Sequence, residues 1–134
     1  MNYTPNSIYT YVRDAVKEEF PSAYTTSRYE PVPQGFPCMM LRVIEESRPT
    51  ENITLTFSDK QKRYSIEVQV FSNKKKNAMA EADKLMDCVC AAMNELFFIQ
   101  DMRSPMDNAD ATIARIVSRF HRIIGGGDVI PERS

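Results

Sequence analysis

The single histidine and the paired cysteines are the residues that first suggest metal or nucleophilic chemistry. His121 stands between two arginines, and Cys88 and Cys90 are separated by one residue. A structural zinc or redox pair needs a two-residue spacer and a second pair of ligands, which the sequence lacks. On a helix the two cysteine side chains diverge by about 200°. We therefore predict no metal, no cofactor and a solvated surface position for His121.

Cysteine number and the first ten residues bear on the redox state of the protein. Cys38 brings the total to three, an odd number that argues against a disulfide framework. Residues 1–10 are polar and lack the basic start and apolar stretch of a secretory signal. We expect reduced thiols and a protein that stays in the cytoplasm where it is made.

Carboxylates and glycines give no recognisable catalytic or phosphate-binding pattern. Asp101, Asp107 and Asp110 are close in sequence, but no glycine and glutamate follow at calcium-loop spacing. The glycines at 125–127 are not followed by a helix that could cradle a phosphate, which indicates a linker. Glu67 and Asp101 have no paired carboxylate at a spacing typical of enzymes. The sequence predicts no catalytic residues, and the protein is expected not to be an enzyme.

Two basic clusters are the candidate interface. One lies in a predicted hairpin and the other at the predicted start of a long helix; the residues are Lys60, Lys62, Arg63, Lys74, Lys75 and Lys76. Cations at a helix N-terminus face the positive end of the helix dipole, a mildly unfavourable placement. They can be ordinary solubility charges, or they can contact an acidic partner surface or passing DNA.

Composition indicates one globular domain. The chain has 134 residues, of which 43% are hydrophobic and 26% charged, enough to bury a core without disulfides. Seventeen basic and eighteen acidic residues give a net charge of -1, so any contact with nucleic acid must be local. The apolar runs are far shorter than the ~20 residues that cross a bilayer. No membrane partner is expected.

The first third of the chain reads as a helix followed by irregular structure. Thr4 before Pro5 predicts a capped helix that ends at residues 20–21. The Thr- and Tyr-rich residues 23–29 favour an extended segment. Residues 31–37 hold three prolines and a glycine, which indicates a loop.

Alternation of apolar and polar residues then predicts a sheet. Three strands are expected at residues 39–44, 53–57 and 64–70, and residues 58–63 have the length of a hairpin connection. Residues 73–96 carry an apolar stripe at helical spacing and are predicted to cover one face of that sheet.

The secondary structure of the last third of the chain is harder to predict from the spacing of its apolar residues. A return segment at 97–102 precedes a turn-rich stretch at 104–110. Residues 112–124 fit a helical stripe, but their β-branched content favours a strand, so both remain open on the residues alone.

These elements predict an α+β fold, with a mostly antiparallel or mixed β-sheet packed on one face by an N-terminal helix and a long central helix. The domain is expected to span residues 1–124. Residues 125–134 contain the glycines and few apolar side chains, and they are predicted to form a flexible tail.

Four segments together resemble a known family. They are the Phe-Pro-Cys sequence at 36–38, the strand at 64–72 with the alanine-rich helix after it, and the turn at 105–110 that runs into 113–120. Over residues 8–124 the chain resembles the tail-terminator and head–tail joining (tail completion, neck) proteins of long-tailed bacteriophages and prophages.

The resemblance implies a structural protein of virion assembly, made in the host cytoplasm and then placed at the head–tail junction. It implies a ring, a homohexamer, that caps the tail tube and meets the head connector or stopper protein, with DNA passing through. It also implies that residues 112–124 form a strand and that there is no catalytic residue. Asn108 and Arg115 match the turn-and-strand pattern of the family, for folding or for an interface.

Two alternatives to a tail terminator remain. One is a head-completion or neck adaptor protein. The other is a small nucleic-acid-binding α+β module, whose sheet would present aromatic and basic side chains. The positions expected to point outward are polar and not aromatic, which disfavours it; they are Thr54, Thr56, Ser65, Glu67 and Gln69.

Overall fold

The computed structural model describes residues 2–47, 61–125 and 127–132, and it has the predicted α+β fold. The elements are α1 (Pro5–Glu19), β1 (Tyr24–Thr26), β2 (Cys38–Ser47), β3 (Lys62–Ser72), α2 (Ala78–Glu95), β4 (Ile99–Met106) and β5 (Ala114–Ile124). The strands form one five-stranded sheet in the order β1-β2-β3-β5-β4. β1 is parallel to β2 and the other pairs are antiparallel, so the sheet is mixed.

Helix α1 begins and ends where the sequence predicts. The Thr4 hydroxyl accepts a hydrogen bond from the Ser7 amide at 3.0 Å, and the Ser7 hydroxyl accepts one from the Thr4 amide at 2.8 Å. This reciprocal pair satisfies amides that the first turn leaves without helical partners. Pro5 takes the first helical position, where a missing N–H costs nothing.

Strands β2 and β3 confirm two of the three predicted strands. They pair from Cys38↔Phe71 to Ser47↔Arg63, with a register shift between Val43 and Glu45. The predicted strand at 53–57 lies outside the described residues, as do residues 58–60 of the predicted hairpin.

The long helix starts five residues later than predicted. Asn77 adopts a left-handed backbone conformation with φ 59° and ψ 43°, and α2 begins only at Ala78. An L-residue in that conformation cannot continue a right-handed helix to its N-terminal side. Lys74, Lys75 and Lys76 therefore precede the helix and are not its first turn.

The end of β4 also differs from the prediction. Residues 104–106 were expected in a turn, but they continue the strand to Met106. Pro105 is tolerated there because β4 is an edge strand. β5 lies between β3 and β4, so the segment left open by its pattern is a strand, as the resemblance implied. Its β-branched side chains are typical of a sheet interior.

Both helices pack on one face of the sheet and enclose the main core. The core includes fully buried residues of α1, α2 and the central strands, among them Ile8, Val12, Leu85, Met93, Leu41, Ile66, Ile116 and Phe120. On β3, Ile66 and Val68 belong to this core, whereas Glu67 and Gln69 point to the opposite face. A smaller apolar cluster of Cys38, Met40 and Phe71 lies on that opposite face.

The chain returns to its N-terminus after β5. The Gly125 amide donates to an Asp128 carboxylate oxygen at 2.8 Å, and Val129 forms an isolated bridge with Asn2. Ile130 packs against the core. The flexibility expected of residues 125–134 stays a prediction. Across the described ranges, no helix has the length and apolar character needed to cross a membrane.

Candidate interaction surfaces

The two basic clusters lie at opposite ends of β3. Lys62 and Arg63 begin the strand, and Lys74–Lys76 follow its last residue, Ser72. The ten residue-to-residue steps from Lys62 to Ser72, at about 3.4 Å each, separate the two clusters by roughly 34 Å, so the clusters form two surfaces. Lys60 lies outside the described residues.

The first cluster is partly neutralised by β2. Lys62 Nζ lies 3.4 Å from Glu46 Oε2, and Arg63 Nε lies 3.8 Å from Glu45 Oε1. Both pairs are solvent-exposed, and such pairs contribute little to stability. Because of these pairs, Lys62 and Arg63 are less available to an acidic partner than the sequence alone indicated.

The second cluster is exposed and is held near α2 by its neighbours. The Lys74 amide donates to the Ser72 hydroxyl at 3.3 Å, and that hydroxyl donates to Glu81 Oε1 at 2.6 Å. Within the part of the chain that the structure describes, no carboxylate lies at ion-pair distance from Lys74, Lys75 or Lys76. Three cations therefore project from an anchored turn.

The helix-free face of the sheet holds a buried carboxylate between arginines. Arg42 Nη2 donates to Glu67 Oε1 at 3.0 Å, and Arg119 Nε donates to Glu67 Oε2 at 3.1 Å. Gln69 Nε2 donates a third bond at 3.0 Å. The Glu67 side chain is 6% exposed, and those of Arg42 and Arg119 are 44% and 55% exposed. The arginines thus cover the carboxylate and keep their outer sides in solvent.

The charge state of Glu67 follows from two opposing effects. Burial raises the pKa of the carboxyl, but the hydrogen bonds from Gln69, Arg42 and Arg119 outweigh it and hold the pKa below its ordinary value. The group is therefore an anion at neutral pH, and it fixes the two guanidinium groups in place.

Arg115 belongs to the same surface. Its Nε donates to Gln69 Oε1 at 3.1 Å, and its guanidinium lies 5.9 Å from the centre of the Phe71 ring. Gln69 therefore links Arg115 to Glu67. We call this surface the arginine face and define it by Arg42, Arg63, Arg115 and Arg119.

Sequence reasoning placed Glu67 and Gln69 on the correct side of the sheet but treated them as exposed. Both are buried, because arginines from neighbouring strands lie over them. One signal was available in the sequence. Arg115 and Arg119 lie an even number of positions apart on a predicted strand, so their side chains point to the same face of the sheet.

Asn108 lies in the turn between β4 and β5. Its Nδ2 donates to the Asp110 carbonyl at 3.4 Å, and Asp110 Oδ1 accepts bonds from the Thr112 amide and hydroxyl at 2.9 and 2.6 Å. These bonds lower the pKa of Asp110. Asn108 also lines an open groove of about 530 Å³ beside Met79 and Met106. It both contributes to the turn and borders a surface groove.

Of the remaining polar candidates in the described residues, the structure brings together His121 and Asp101 and leaves the cysteines apart from them. His121 Nδ1 lies 2.6 Å from Asp101 Oδ1. Cys38 is fully buried, and burial raises the pKa of its thiol to about 12. Cys88 and Cys90 lie on α2, where the Cys88 thiol donates to the Ala15 carbonyl at 3.4 Å and Cys90 Sγ accepts from Gln100 Nε2 at 3.4 Å. Among the residues that the structure describes, no three potential ligands cluster around a possible metal position.

The arginine face can bind anionic groups, because guanidinium groups donate bidentate hydrogen bonds to carboxylates and phosphates. Its four arginines outnumber the three acidic strand residues on the same side of the sheet, which are Glu45, Glu67 and Asp101, the last paired with His121. In comparisons with known proteins, no family model and no curated protein match this sequence.

Proposed function

We propose that this protein is a tail terminator of a long-tailed bacteriophage, a structural protein that forms a ring, caps the tail tube and joins it to the head connector. Support comes from the four segments that resemble this family. The α+β fold and the strand Ala114–Ile124 agree with what the resemblance implies. In this role the protein needs no catalytic group.

The exposed edge strand β4 is the observation that carries the proposal. Both helices pack on one face, and β4 is an edge strand whose outer backbone groups are available for pairing. Ile99 and Met106, at the two ends of this strand, are 59% and 40% exposed, and Phe97, which precedes the strand, is exposed as well. Exposed edges and apolar side chains are features that association with another chain covers.

A ring follows from repeating one contact between two different surfaces. Such a heterologous contact closes into a ring when the rotation between neighbours divides a full turn. A ring with a central hole stops a growing tube and lets DNA pass. Tail tubes of related phages are six-fold, so we propose six subunits.

Light scattering across a concentration series, with and without tail-tube protein, tests the ring. Electron microscopy of purified tails carrying labelled protein tests its position. We expect larger assemblies in the presence of tubes and label at one tube end. Ile99→Lys should weaken assembly, and Val32→Lys, which changes a loop residue that is 77% exposed, should not. A chain that stays monomeric in both series and never labels a tube end contradicts the proposal.

The arginine face favours one alternative function, a nucleic-acid-binding module. Rows of arginines neutralise phosphates, and binding of that kind weakens steeply with salt. A head-completion or neck adaptor protein remains the alternative within the assembly class. Label at the connector instead of the tube end distinguishes the adaptor, and salt-dependent binding of duplex DNA by a monomer distinguishes the module.

A further inference from the structure

Opposite sides of the domain carry opposite charge. We call the outward side of α1 and α2 the helix layer. The two helices together contain three basic and seven acidic residues, which gives them a net charge of -4. Arg103, which pairs with Asp83 and Asp87, offsets one of these charges. The acidic residues are Asp14, Glu18, Glu19, Glu81, Asp83, Asp87 and Glu95. The arginine face, on the other side of the sheet, is net positive.

The strands that carry the arginines and the helices that carry the carboxylates are spaced at similar intervals. Arg42 and Arg119 flank Glu67 on the two neighbouring strands, so they are two strand intervals apart, about 9.6 Å. α1 and α2 pack against each other, with the Tyr11 hydroxyl donating to Glu95 at 2.8 Å. Packed helices have axes about 8–10 Å apart. The two helix axes are therefore about as far apart as the two strands that carry Arg42 and Arg119.

We propose that the arginine face of one protomer binds the helix layer of a second copy of this chain. The inference rests on the self-association in the proposed function and names the two surfaces that meet. Arg42 and Arg119 each direct part of the guanidinium to Glu67 and expose the rest to a partner carboxylate. Because Glu67 holds them in place, less side-chain freedom is lost on binding.

This contact is head-to-tail, since each protomer uses two different sides. A second protomer can add to the free side of the first, and the series ends when the ring closes. The alanines Ala80 and Ala91 are exposed on the helix layer and leave room for long arginine side chains. The geometry thus suits a repeated contact and not a self-complementary dimer.

A second copy fits the arginine face better than nucleic acid does. The whole chain has a net charge of -1, and Glu45 and Glu67 reduce the positive charge of the face itself. A polyanion gains little from such a surface and is repelled by the helix layer. The complementary acidic surface is present on every copy of the chain.

Charge-reversal variants on each side test the contact. Arg42 and Arg119 are left intact, because reversing them places a new acid beside the buried Glu67. Arg63→Glu with Arg115→Glu changes the arginine face, and Asp14→Lys with Asp87→Lys changes the helix layer. Lys75→Glu with Lys76→Glu is the matched control, with two exposed cations reversed away from both surfaces. Thermal unfolding by circular dichroism checks that each variant is folded.

Analytical ultracentrifugation of the full chain is the measurement. We expect wild type and the control to self-associate alike, and each of the other two variants to associate at least about 100-fold more weakly, because like charges then face each other. An equimolar mixture of these two variants should recover self-association, with the two variants alternating. The intact arginine face of one variant meets the intact helix layer of the other, and at the next contact the reversed arginine face meets the reversed helix layer, so opposite charges face each other at every contact.

Three outcomes overturn the inference. They are a wild-type chain that stays monomeric in solution, folded variants that associate like wild type, and a mixture of the two variants that does not recover association. Binding of a labelled DNA duplex that Arg63→Glu with Arg115→Glu abolishes, while self-association is unchanged, assigns the face to nucleic acid instead. Label at tube ends together with any of these results leaves the proposed function standing and removes only this contact.

Discussion

Arg119 Nη2 lies 3.0 Å from Glu67 Oε2 across the β3–β5 pair, so a buried anion is held by a cation that stays half in solvent. The pKa of Glu67 is lowered in the folded protein despite burial. A depressed carboxyl pKa adds stability above the pKa of the unfolded chain, and that stability is lost as pH falls through the folded value. Ionised Glu67 therefore contributes to the free energy of unfolding at neutral pH, and this contribution disappears in acid.

Glu67→Gln should destabilise the protein at neutral pH by about 1–2 kcal/mol, because bonds to a charged acceptor become bonds to a neutral one. The loss is modest since both arginines regain solvent. Stability of the variant should also fall less than that of wild type as pH drops below about 4.5. Urea unfolding at a series of pH values measures both effects.

Glu45→Gln is the matched control for this prediction. Glu45 lies on the same face, and its side chain is exposed and 3.8 Å from Arg63. Its removal should change the free energy of unfolding by less than about 0.5 kcal/mol. Equal acid dependence of wild type and Glu67→Gln would show that the Glu67 network contributes no linkage.

Cys38 should be unreactive in the folded protein. Its side chain is fully buried, and at a pKa of about 12 roughly one thiol in ten thousand is ionised at pH 8. Ellman's reagent should label Cys88 and Cys90, which are partly exposed, before Cys38. Labelling of Cys38 should track unfolding by urea. Peptide mapping by mass spectrometry identifies the labelled site, and native labelling of Cys38 at the rate of Cys88 contradicts its burial.

The sequence predicted correctly those helices and strands whose positions are set by residues within the same element. The Thr4 cap and Pro5 set the start of α1, and alternation identified β3 because its core side chains recur at every second residue. The start of α2 was missed because the conformation of Asn77 leaves no clear mark in composition. The end of β4 was missed because turn-forming residues are tolerated in an edge strand.

The arginine face could not be assembled from the sequence, because it depends on pairing between distant strands. Arg42 and Glu67 are 25 residues apart, and Glu67 and Arg119 are 52 apart. Only the register places them side by side. Alternation shows which face a residue lies on, but not which residues of other strands lie beside it.

Arg122 should hold the C-terminal segment against the N-terminus. Its guanidinium donates to the Leu96 carbonyl at 2.8 Å, pairs with Asp128 at 3.2 Å and stacks 4.7 Å from the Tyr3 ring centre. Arg122→Ala should destabilise the protein by about 2 kcal/mol, through a lost hydrogen bond and a lost cation–π contact. Urea unfolding measures this loss.

Hydrogen exchange gives a local readout of the same variant. Amides in residues 127–132 and near Asn2 should exchange faster in Arg122→Ala, because the bridge Asn2↔Val129 loses its support. Arg28→Ala, at an exposed loop position, is the control and should exchange like wild type. Equally fast exchange of residues 127–132 in wild type and Arg122→Ala would instead support the predicted flexible tail.

The lysines before α2 should control how fast the protein meets its assembly partner. Lys74, Lys75 and Lys76 are exposed and lie roughly 34 Å from Lys62 along β3, so they belong to a different surface of the protein. Charges at the rim of an interface mainly set association rate and its salt dependence. Reversing all three to Glu should slow binding to the tail tube or connector, most strongly at low salt, and leave the free energy of unfolding within about 0.5 kcal/mol of wild type.

Stopped-flow or surface-based kinetics across a salt series measures this effect, and two further variants sharpen it. Replacing the three lysines by Gln removes charge without reversing it and should give an intermediate rate. Lys62→Glu changes the other end of β3, where Glu46 already neutralises the cation, so its effect on the rate should be smaller. Salt screens exposed charges over about 10 Å at 0.1 M, so all rates should converge at high salt. Identical rates for wild type and the triple Glu variant at every salt concentration would mean that these lysines serve only solubility.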